Sequence, residues 1–512
     1  MALLNSIVTI GSITTVSRVF GFFRDILIAA TLGAGVMADV FFVAFKFPNL
    51  FRRLFAEGAF SMAFVPIFAG ILEEEGKGKA KEFADQAMGV LISGLLVLVI
   101  VMEIAMPWVM RAFAPGFLDD PRKFDLAVEL TRITFPYILL ISLVSLFAGV
   151  LNSFGRFAAA AATPILLNVC LIGALLFWAP ISKNPGHTLA WATFLAGFVQ
   201  FFWIAFYCGK NGIWFCRPIF TFSKNVRLLL VRALPVALGA GIYQINLLVD
   251  TIIASFLPEG SISYLFFADR VNQLPLGVVG VAVGTALLPL LSRQIRAGDE
   301  VAAQNSQNRA VEFSILMTLP AACALFLMAD PVVRVLFQRG MFGDTQASAT
   351  AAALSIFALG LPAYVLIKSL APGFFGRGDT VTPVKIAAVA MIFNVILSVI
   401  LMKFYLHVGI AIATTSASWL NACVMAFILY KRGHFIFDDR LKSRMPRTLF
   451  ASIGMSLALY LALAKLAPWL GSGVELERAF AMALLIAGGI AIFGALALIS
   501  GAVERSDVKC LY

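Results

Sequence analysis

The sequence predicts an all-α polytopic membrane protein with about fourteen transmembrane helices. Of its 512 residues 61% are hydrophobic and 13% are charged, and its mean hydropathy is +0.94. Soluble proteins carry roughly 25% charged residues. Apolar stretches of about 20 residues recur along the whole chain, which is the length that crosses a bilayer as a helix. Because backbone groups in hydrocarbon must be paired internally, stretches of this length predict helices and exclude a β-barrel.

The predicted helices follow the apolar stretches, with boundaries uncertain by several residues. They cover roughly 4–32, 38–70, 84–112, 126–153, 161–180, 187–208, 228–257, 262–292, 308–329, 348–375, 384–403, 408–430, 447–468 and 479–501. The first stretch lacks the basic start and cleavage site of a signal peptide. We therefore expect it to remain as the first spanning helix.

A weak internal repeat divides the chain. Phe135-Pro136, Gly155-Arg156 and Thr163-Pro164 are echoed, in the same order, by Leu361-Pro362, Gly376-Arg377 and Thr382-Pro383. Six predicted helices separate the copies, and an even number makes the two repeats parallel. The sequence thus predicts an N-lobe over 1–222, with helices 1–6, and a C-lobe over 223–435, with helices 7–12. Helices 13 and 14, within 436–512, have no counterpart.

Basic residues in the loops predict the orientation, because cytoplasmic loops are enriched in lysine and arginine. The loop at 431–447 alone holds six, and both termini fall on the same side as this loop. The sequence therefore predicts cytoplasmic termini and a multi-pass protein of the bacterial inner membrane. The loops leave no room for an ATPase domain, and no P-loop motif is present.

Several function classes are disfavoured by the residues themselves. The net charge of +11 lies in short loops or inside apolar runs, unlike the basic patch of a nucleic-acid-binding protein. The six cysteines and three histidines lack the spacing of a metal site or a disulfide framework. We found no clustered acids with a metal and no nucleophile beside a base, so the chain is expected to be a transporter and not an enzyme.

Charged residues occupy the first, second and eighth predicted helices, where hydrocarbon is expected. One arginine at a helix centre costs roughly 2.5–3.5 kcal/mol on insertion scales, so these side chains must face water, protein or a charged ligand. The set comprises Arg18, Arg24, Asp25, Asp39, Lys46, Arg52, Arg53, Glu57, Asp269 and Arg270.

The spacing of these charges predicts a polar face. Asn49, Arg52, Arg53 and Glu57 follow one stripe of a helix, with Arg53 and Glu57 at i,i+4. Bases outnumber acids in the set, which favours a water-filled cavity lined by guanidinium groups. Arginine grips phosphate with two parallel hydrogen bonds, so an anionic phosphate is the ligand class indicated. Two alternatives stay open: buried pairs such as Arg24 with Asp25 that only brace helices, and basic side chains that snorkel to the headgroups.

The residues from Ser17 to Pro66 resemble a known family. They read S-R-V-F-G-F-F-R-D and then G-A-G-V-M-A-D-V-F-F-V-A-F-K-F-P-N-L-F-R-R-L-F-A-E-G-A-F-S-M-A-F-V-P. Further matches are F-P-Y-I-L-L-I-S-L from Phe135, A-D-R from Ala268, L-A-P-G-F-F from Leu370 and P-V-K-I-A from Pro383. Over nearly its whole length the chain resembles the MurJ/MviN family of bacterial lipid II flippases, in the multidrug/oligosaccharidyl-lipid/polysaccharide exporter superfamily.

The resemblance implies a fold, a substrate and roles for particular residues. It implies two six-helix lobes around a central cavity, with helices 13 and 14 forming a lipid-facing groove. The substrate would be lipid II, an undecaprenyl-pyrophosphate-linked peptidoglycan precursor, carried to the periplasmic leaflet by alternating access. The family's cavity arginines fall on Arg18, Arg24, Arg52 and Arg270, and we add Asp25 and Asp269 beside them. Its periplasmic gate residues fall on Asp39, Asn49, Arg53 and Glu57.

The energy source is not readable from the sequence. An inside-negative membrane potential drives a negative headgroup outward by about 2.3 kcal/mol per charge per 100 mV. A coupled sodium ion or proton is the alternative. Asp250 in the middle of helix 7, with Asn394 and Thr414 on later helices, offers oxygen ligands for a cation. An aspartate that is hydrogen-bonded to neighbouring helices explains Asp250 equally well. No cofactor is expected.

Rival readings remain within the same architecture. A flippase for another polyprenyl-pyrophosphate-linked glycan would use the same cationic cavity. A cation-coupled drug exporter should instead line its cavity with acids and aromatic residues. The expected partners are lipid II and membrane lipids, with no nucleic acid. We expect the chain to function as a monomer that contacts the cell-wall synthesis machinery.

Overall fold

The computed structural model describes residues 2–52, 60–210, 212 and 218–504 of the chain. For residues 2–8, 51, 234–247, 278, 279, 281–283, 285 and 286 it describes the backbone alone. The described residues are helical almost throughout, and no strand occurs among them. They form two compact units: Met1–Ser263 with Gly340–Phe342, and Tyr264–Arg339 with Gly343–Tyr512.

The structure describes nine α-helices in the first unit. They are α1 (Ala2–Leu32), α2 (Val36–Phe51), α3 (Ser61–Glu74), α4 (Gly76–Phe113), α5 (Pro121–Thr134), α6 (Tyr137–Ser153), α7 (Phe157–Gly173), α8 (Pro185–Lys210) and α9 (Lys224–Ser255). A 3-10 turn over Pro115–Asp119 joins α4 to α5. Helix α1 packs on α7, α2 on α5, and α9 on α3 and α4.

The second unit contains the remaining helices. They are α10 (Ser261–Arg296), whose first turn lies in the first unit, α11 (Glu300–Leu327), α12 (Ala329–Phe337), α13 (Asp344–Phe375), α14 (Val381–Lys431), α15 (Asp439–Leu470) and α16 (Glu475–Ile499). Helix α13 packs against α11, α12 and α14, while α15 packs against α11 and α16. The division of the chain into lobes 1–222 and 223–435 and a segment 436–512 stays a prediction.

Ten of the fourteen predicted helices fall within long apolar helices of the structure. Within the described residues, nine helical stretches are long and apolar enough to cross a membrane. They contain ten of the predicted helices, because α14 holds two of them. The other four predicted helices correspond to α1, α2 with α3, α9 and α10, and the structure describes the residues or side chains of each of these stretches only in part.

The structure divides one predicted helix in two and confirms a predicted break between two others. The predicted helix 126–153 is divided into α5 and α6 at Phe135-Pro136, because proline has no amide hydrogen to donate within a helix. The predicted break between 403 and 408 is confirmed: α14 is interrupted at Leu406, whose φ is +50°. Helix α12 was not predicted. It is amphipathic and nine residues long, below the length that spans a bilayer.

Packing in each unit relies on aromatic and small apolar side chains. In the first unit Phe60, Phe64 and Phe68 stack in succession along one helix face, and Phe83 of α4 stacks on Phe64. Gly89 allows close approach at this point, because a Cβ there would lie 2.4 Å from the carbonyl oxygen of Ile219. This core holds α3, α4, α6 and α9 together.

Candidate functional site

Arg24 is held inside the first unit by two partners. Its Nε and one terminal nitrogen donate to Asp25 Oδ1 at 3.0 and 2.7 Å, and the other terminal nitrogen donates to Asn168 Oδ1 at 2.9 Å. Arg24 is 5% exposed and Asp25 is 2% exposed. Asn168 of α7 in turn donates to the carbonyl oxygen of Ser17 at 3.1 Å. The guanidinium is thus fixed in one orientation by α1 and α7.

The two arginines of α1 lie in different environments. Arg18 is exposed whereas Arg24 is buried, as their separation of about 120° around the helix predicts. Gly21 lies between them against Asn168, where a Cβ would approach the amide nitrogen to 3.4 Å. Arg24 also lies 5.7 Å from the centre of the Phe45 ring of α2. The structure therefore places Arg24 with Asp25 and leaves Arg18 on an accessible face.

Helix α2 carries a short polar ladder. Lys46 Nζ donates to Thr251 Oγ1 of α9 at 2.6 Å. One turn further on, Asn49 donates to the carbonyl oxygen of Phe45 at 2.8 Å and accepts from Arg52 Nε at 3.2 Å. Arg52 and Asn49 are both half-buried. The predicted continuation of this stripe through Arg53 and Glu57 lies outside the described residues.

Asp39 is a buried acid that accepts several hydrogen bonds. It is 1% exposed and accepts from Gly260 N at 2.8 Å, Ser263 N at 2.9 Å and Ser263 Oγ at 2.6 Å. Lys123 Nζ of α5 lies 3.6 Å from Asp39 Oδ2, the oxygen that also accepts from Gly260. Asp39 therefore caps the first turn of α10 from its position in the first turn of α2.

The geometry around Asp39 depends on two further groups. Gly260 has a φ of +87°, a conformation that glycine adopts without strain, and its N–H points to the carboxylate. Lys123 is only 8% exposed at its side chain and lies 4.4 Å from the centre of the Phe117 ring. This cluster, which we call the Asp39 clamp (Asp39, Lys123, Gly260 and Ser263), joins α2, α5 and the start of α10.

In the second unit the predicted pair of α10 is accessible. Asp269 is exposed and accepts a hydrogen bond from Gln273. Arg270 is half-buried, with its guanidinium carbon 4.8 Å from the centre of the Phe266 ring. A guanidinium over the face of an aromatic ring is attracted by the negative face of the ring.

The candidate ligands of a coupled cation belong to two different units of the chain. Asn394 is 1% exposed, and its Oδ1 accepts from Ser398 and Thr414 at 3.4 and 3.5 Å. Asp250 lies five residues from the end of α9 and not in its middle, and it is not in the middle of the bounds predicted for this helix either. Among the described residues no group of three or more acidic, histidine or cysteine side chains could hold a metal.

Several residues that complete these clusters were missed in the sequence, among them Lys123 and Asn168. Lys123 was assigned to a loop, and Asn168 sits in an otherwise apolar predicted helix. A polar side chain inside an apolar run is a signal that would have marked Asn168. Nothing local marks Lys123, because its role depends on Asp39, which lies 84 residues earlier in the chain.

The sequence comparisons match almost the whole length of this chain and point to one family. A family model described as lipid II flippase MurJ matches residues 28–480. A probable lipid II flippase MurJ of Rhizobium tropici is 44% identical over 514 residues, covering 99% of this chain and 96% of the relative. The protein of the same name from Rhizobium meliloti is 45% identical over 516 residues, with the same coverage.

Comparisons of the fold point in the same direction. Lipid II flippase MurJ in an inward closed conformation aligns with a TM-score of 0.79 at 25% identity, covering 96% of this chain and 98% of that one. An inward-facing multidrug transporter of the MATE family aligns with a TM-score of 0.66 over 83% of this chain, at 15% identity, which is a likeness of fold alone. The family match, the relatives and the fold together establish that this chain belongs to the lipid II flippase MurJ family.

Proposed function

We propose that the chain moves lipid II from the cytoplasmic to the periplasmic leaflet by alternating access through a cationic central cavity. It is a transporter and not an enzyme. The observation that carries the proposal is the buried guanidinium of Arg24, which Asp25 and Asn168 orient inside an otherwise apolar helix bundle. A fixed, partly desolvated guanidinium suits a pyrophosphate, because it donates to two oxygens at once.

The division of labour within the substrate follows from its chemistry. The pyrophosphate needs cations along its path, and Arg18, Arg24, Arg52 and Arg270 are the residues that we assign to it, with Asp25 and Asp269 orienting them. The polyprenyl tail needs no polar path and stays in lipid, along a groove formed by α15 and α16. Transport breaks no bond in the pyrophosphate or in the tail. A rocking motion of the lobes is therefore sufficient to move the lipid.

The Asp39 clamp is proposed to close the periplasmic mouth. A carboxylate that accepts three hydrogen bonds and faces a lysine is held strongly where water is excluded. Asn49 belongs to the same proposed gate, together with Arg53 and Glu57. When the clamp is closed the cavity faces the cytoplasm, and its opening exposes the cavity to the periplasm.

The charge distribution of the loops supports the proposed orientation, and the location and partners are proposed with it. The protein resides in the bacterial inner membrane with both termini cytoplasmic. It acts as a monomer on lipid II among membrane lipids and contacts the cell-wall synthesis machinery. The membrane potential alone drives export, or a sodium ion or proton is coupled to it. Asp250, Asn394 and Thr414 are the ligands that we propose for a coupled cation.

The decisive experiment follows radiolabelled lipid II in cells depleted of their own flippase. Cells that express this chain should expose newly made lipid II to a periplasmic hydrolase, whereas cells with Arg24→Ala should not. Lipid II that remains protected despite normal accumulation of the protein would contradict the proposal. Export of a different polyprenyl-pyrophosphate-linked glycan under the same conditions would support the alternative substrate.

The gate has its own test. Asp39→Asn removes the charge that attracts Lys123 while preserving the size of the side chain. We expect periplasmic labelling of single cysteines at cavity positions to increase severalfold, because the closed state is weakened. Asp125→Asn, an exposed acid of α5, serves as the control. Labelling that does not differ between the two variants would refute the gate.

A further inference from the structure

A cavity of the first unit that the proposed transport path does not use opens between α5 and α8. Its volume is about 470 Å³. We call it the α5–α8 pocket, and it is lined by two apolar residues of α5 and by Asp125, Glu129, Arg132, His187 and Trp191. The side chains of Glu129, Arg132 and Trp191 are exposed. The pocket therefore offers charges of both signs and an aromatic ring to the surroundings of the unit.

Arg132 is anchored in this pocket by one nitrogen. Its Nε donates to the carbonyl oxygen of Glu103 in α4 at 3.1 Å. The carboxyl group of Glu103 is also close enough to attract the guanidinium. Among the described residues, however, the two terminal nitrogens of Arg132 have no hydrogen-bond or ion-pair partner. A guanidinium that is fixed at Nε and open at its terminal nitrogens can donate two parallel hydrogen bonds to one phosphate.

Glu129 is positioned from α8. His187 Nε2 lies 3.0 Å from one of its carboxylate oxygens, and the Glu129 side chain is 60% exposed. His187 belongs to the first turn of α8, where its backbone N–H donates to Asn184 Oδ1 at 3.4 Å. Glu129 and Arg132 are three residues apart on one face of α5, yet within the described part of the chain they form no ion pair with each other. The pocket therefore presents a carboxylate and a guanidinium side by side, each held by a neighbouring helix.

The two charges lie at different depths. Along the axis of α5, Glu129 is about 12 Å and Arg132 about 16 Å from the first residue of the helix. Trp191 is about 9 Å from the first residue of α8, and tryptophan is enriched at the level of the lipid headgroups. The carboxylate therefore lies nearer the membrane surface, and the guanidinium lies nearer the hydrocarbon.

An apolar face of α8 continues from the pocket toward the interior of the membrane. Large apolar side chains on this face are exposed: Trp191, Leu195, Val199 and Phe202. Their spacing of four, four and three residues follows the helical repeat, and His187 lies four residues before Trp191 on the same face. In a protein whose long apolar helices cross a bilayer, such a face contacts acyl chains. The pocket thus lies at the headgroup end of a surface suited to lipid chains.

We propose that the α5–α8 pocket binds a phospholipid whose headgroup carries a phosphate and a primary ammonium, with its acyl chains along the exposed face of α8. Arg132 holds the phosphate and Glu129 accepts from the ammonium. In such a lipid the phosphate is next to the glycerol and the chains, and the ammonium is further out, which is the order in depth of Arg132 and Glu129. Choline has no N–H to donate to Glu129, and an anionic headgroup without an amine brings negative charge beside this carboxylate. The site shares no residue with the proposed pyrophosphate path, so it does not rest on the proposed function.

The first test varies the lipid and leaves the protein unchanged. Purified full-length protein is offered phosphatidylethanolamine, its dimethylated derivative, phosphatidylcholine and phosphatidylglycerol with the same acyl chains, and bound lipid is measured by mass spectrometry of the intact complex. Binding should weaken stepwise as methyl groups replace N–H, by about tenfold from ethanolamine to choline, which is the effect of one charge-assisted hydrogen bond. Equal binding of the ethanolamine and choline lipids, or tighter binding of phosphatidylglycerol, would overturn the inference.

The second test varies the pocket. Arg132→Gln and Glu129→Gln should each lower the affinity for phosphatidylethanolamine about tenfold, whereas Arg132→Lys keeps the charge and should retain most of the affinity. Glu129→Gln should also abolish the preference for ethanolamine over choline, which a purely structural role of Glu129 would leave intact. Arg111→Gln is the matched control, because Arg111 is an exposed arginine in the last turn of α4, and lipid binding should not change. An unchanged preference in Glu129→Gln, or an equal loss of affinity in Arg111→Gln, would contradict the proposed site.

Soluble glycerophosphoethanolamine separates the headgroup from the acyl chains. It should compete with phosphatidylethanolamine only weakly, because it has no chains to place on the exposed face of α8. Competition as strong as that of the intact lipid would refute the part of the proposal that assigns this face to the chains.

Discussion

Two arginine clusters, one in each unit, have contrasting surroundings. In the first unit Arg24 has one carboxylate and one amide for its guanidinium, and Arg18, Lys46 and Arg52 add positive charge on the same two helices. In the second unit Glu312 of α11 gathers Arg309, Arg440 and Arg444 around a single carboxylate. Both clusters are rich in arginine, and in the second each arginine is paired with an acid.

The second cluster is balanced by further acids. Arg309 also pairs with Asp438, and Arg444 pairs with Glu504 at 2.7 Å. Arg444 is 4% exposed, so its charge is satisfied inside the protein. Three arginines therefore face three acids, and the cluster ties α11 to α15.

The contrast separates two uses of arginine in a membrane protein. Where acids match bases, the ion pairs hold helices together and no charge is left for a ligand. Where bases exceed acids, the remaining field attracts an anion. The balance of charge within a cluster, rather than the burial of any one arginine, is the useful criterion.

The largest expected effect is on transport. Arg18→Ala, Arg24→Ala and Arg270→Ala should each abolish complementation in depleted cells, because each removes a cation from the path of the pyrophosphate. Arg309→Ala should retain transport per molecule, since its charge is used by Glu312 and Asp438. Accumulation in the membrane is measured by immunoblot for every variant. The contrast breaks down if Arg309→Ala loses transport as fully as Arg24→Ala at equal accumulation.

A smaller effect is expected on stability. Glu312→Ala leaves three arginines without their shared carboxylate, and removal of one partner from a buried pair costs about 3–5 kcal/mol. The free energy of unfolding in detergent should fall by about that amount, while transport per folded molecule is retained. Glu82→Ala removes an exposed pair with Lys79 and should leave stability almost unchanged, because ion pairs between exposed side chains contribute little. Equal losses of stability in the two variants would contradict the proposal that Glu312 holds α11 and α15 together.

The smallest effect concerns pH at another balanced pair. Arg432 donates to Asp379 at 2.6 Å, and this hydrogen bond, with those from Thr382, lowers the pKa of Asp379 well below its ordinary 3.8. A lowered carboxyl pKa contributes stability that is fully present above the ordinary value and is lost as pH falls below it. The stability difference between wild type and Asp379→Asn should thus be constant from pH 7 to pH 5 and shrink below about pH 4. A difference that grows on acidification would refute this assignment.

The sequence predicts the helices better than the contacts between them. Apolar length and proline placement locate the spans, and the break near Leu406 follows from the local pattern. The residues of the Asp39 clamp come from three distant parts of the chain, so spacing indicates Asp39 but neither Lys123 nor Ser263. The pairing of Arg24 with Asn168 is likewise a product of packing. Arg24 and Asp25 do form the buried pair of the alternative interpretation, and their role in binding a ligand stays a proposal.

The Asp39 clamp has a consequence for the speed of any opening motion. Separating α2 from the start of α10 strands a carboxylate, two amide hydrogens and a hydroxyl, and each stranded group costs about 1–3 kcal/mol until it finds a new partner. Only water can supply those partners quickly at a membrane surface. Wetting of the crevice and movement of the helices must therefore occur together, and the barrier to opening is set by how easily a few water molecules enter.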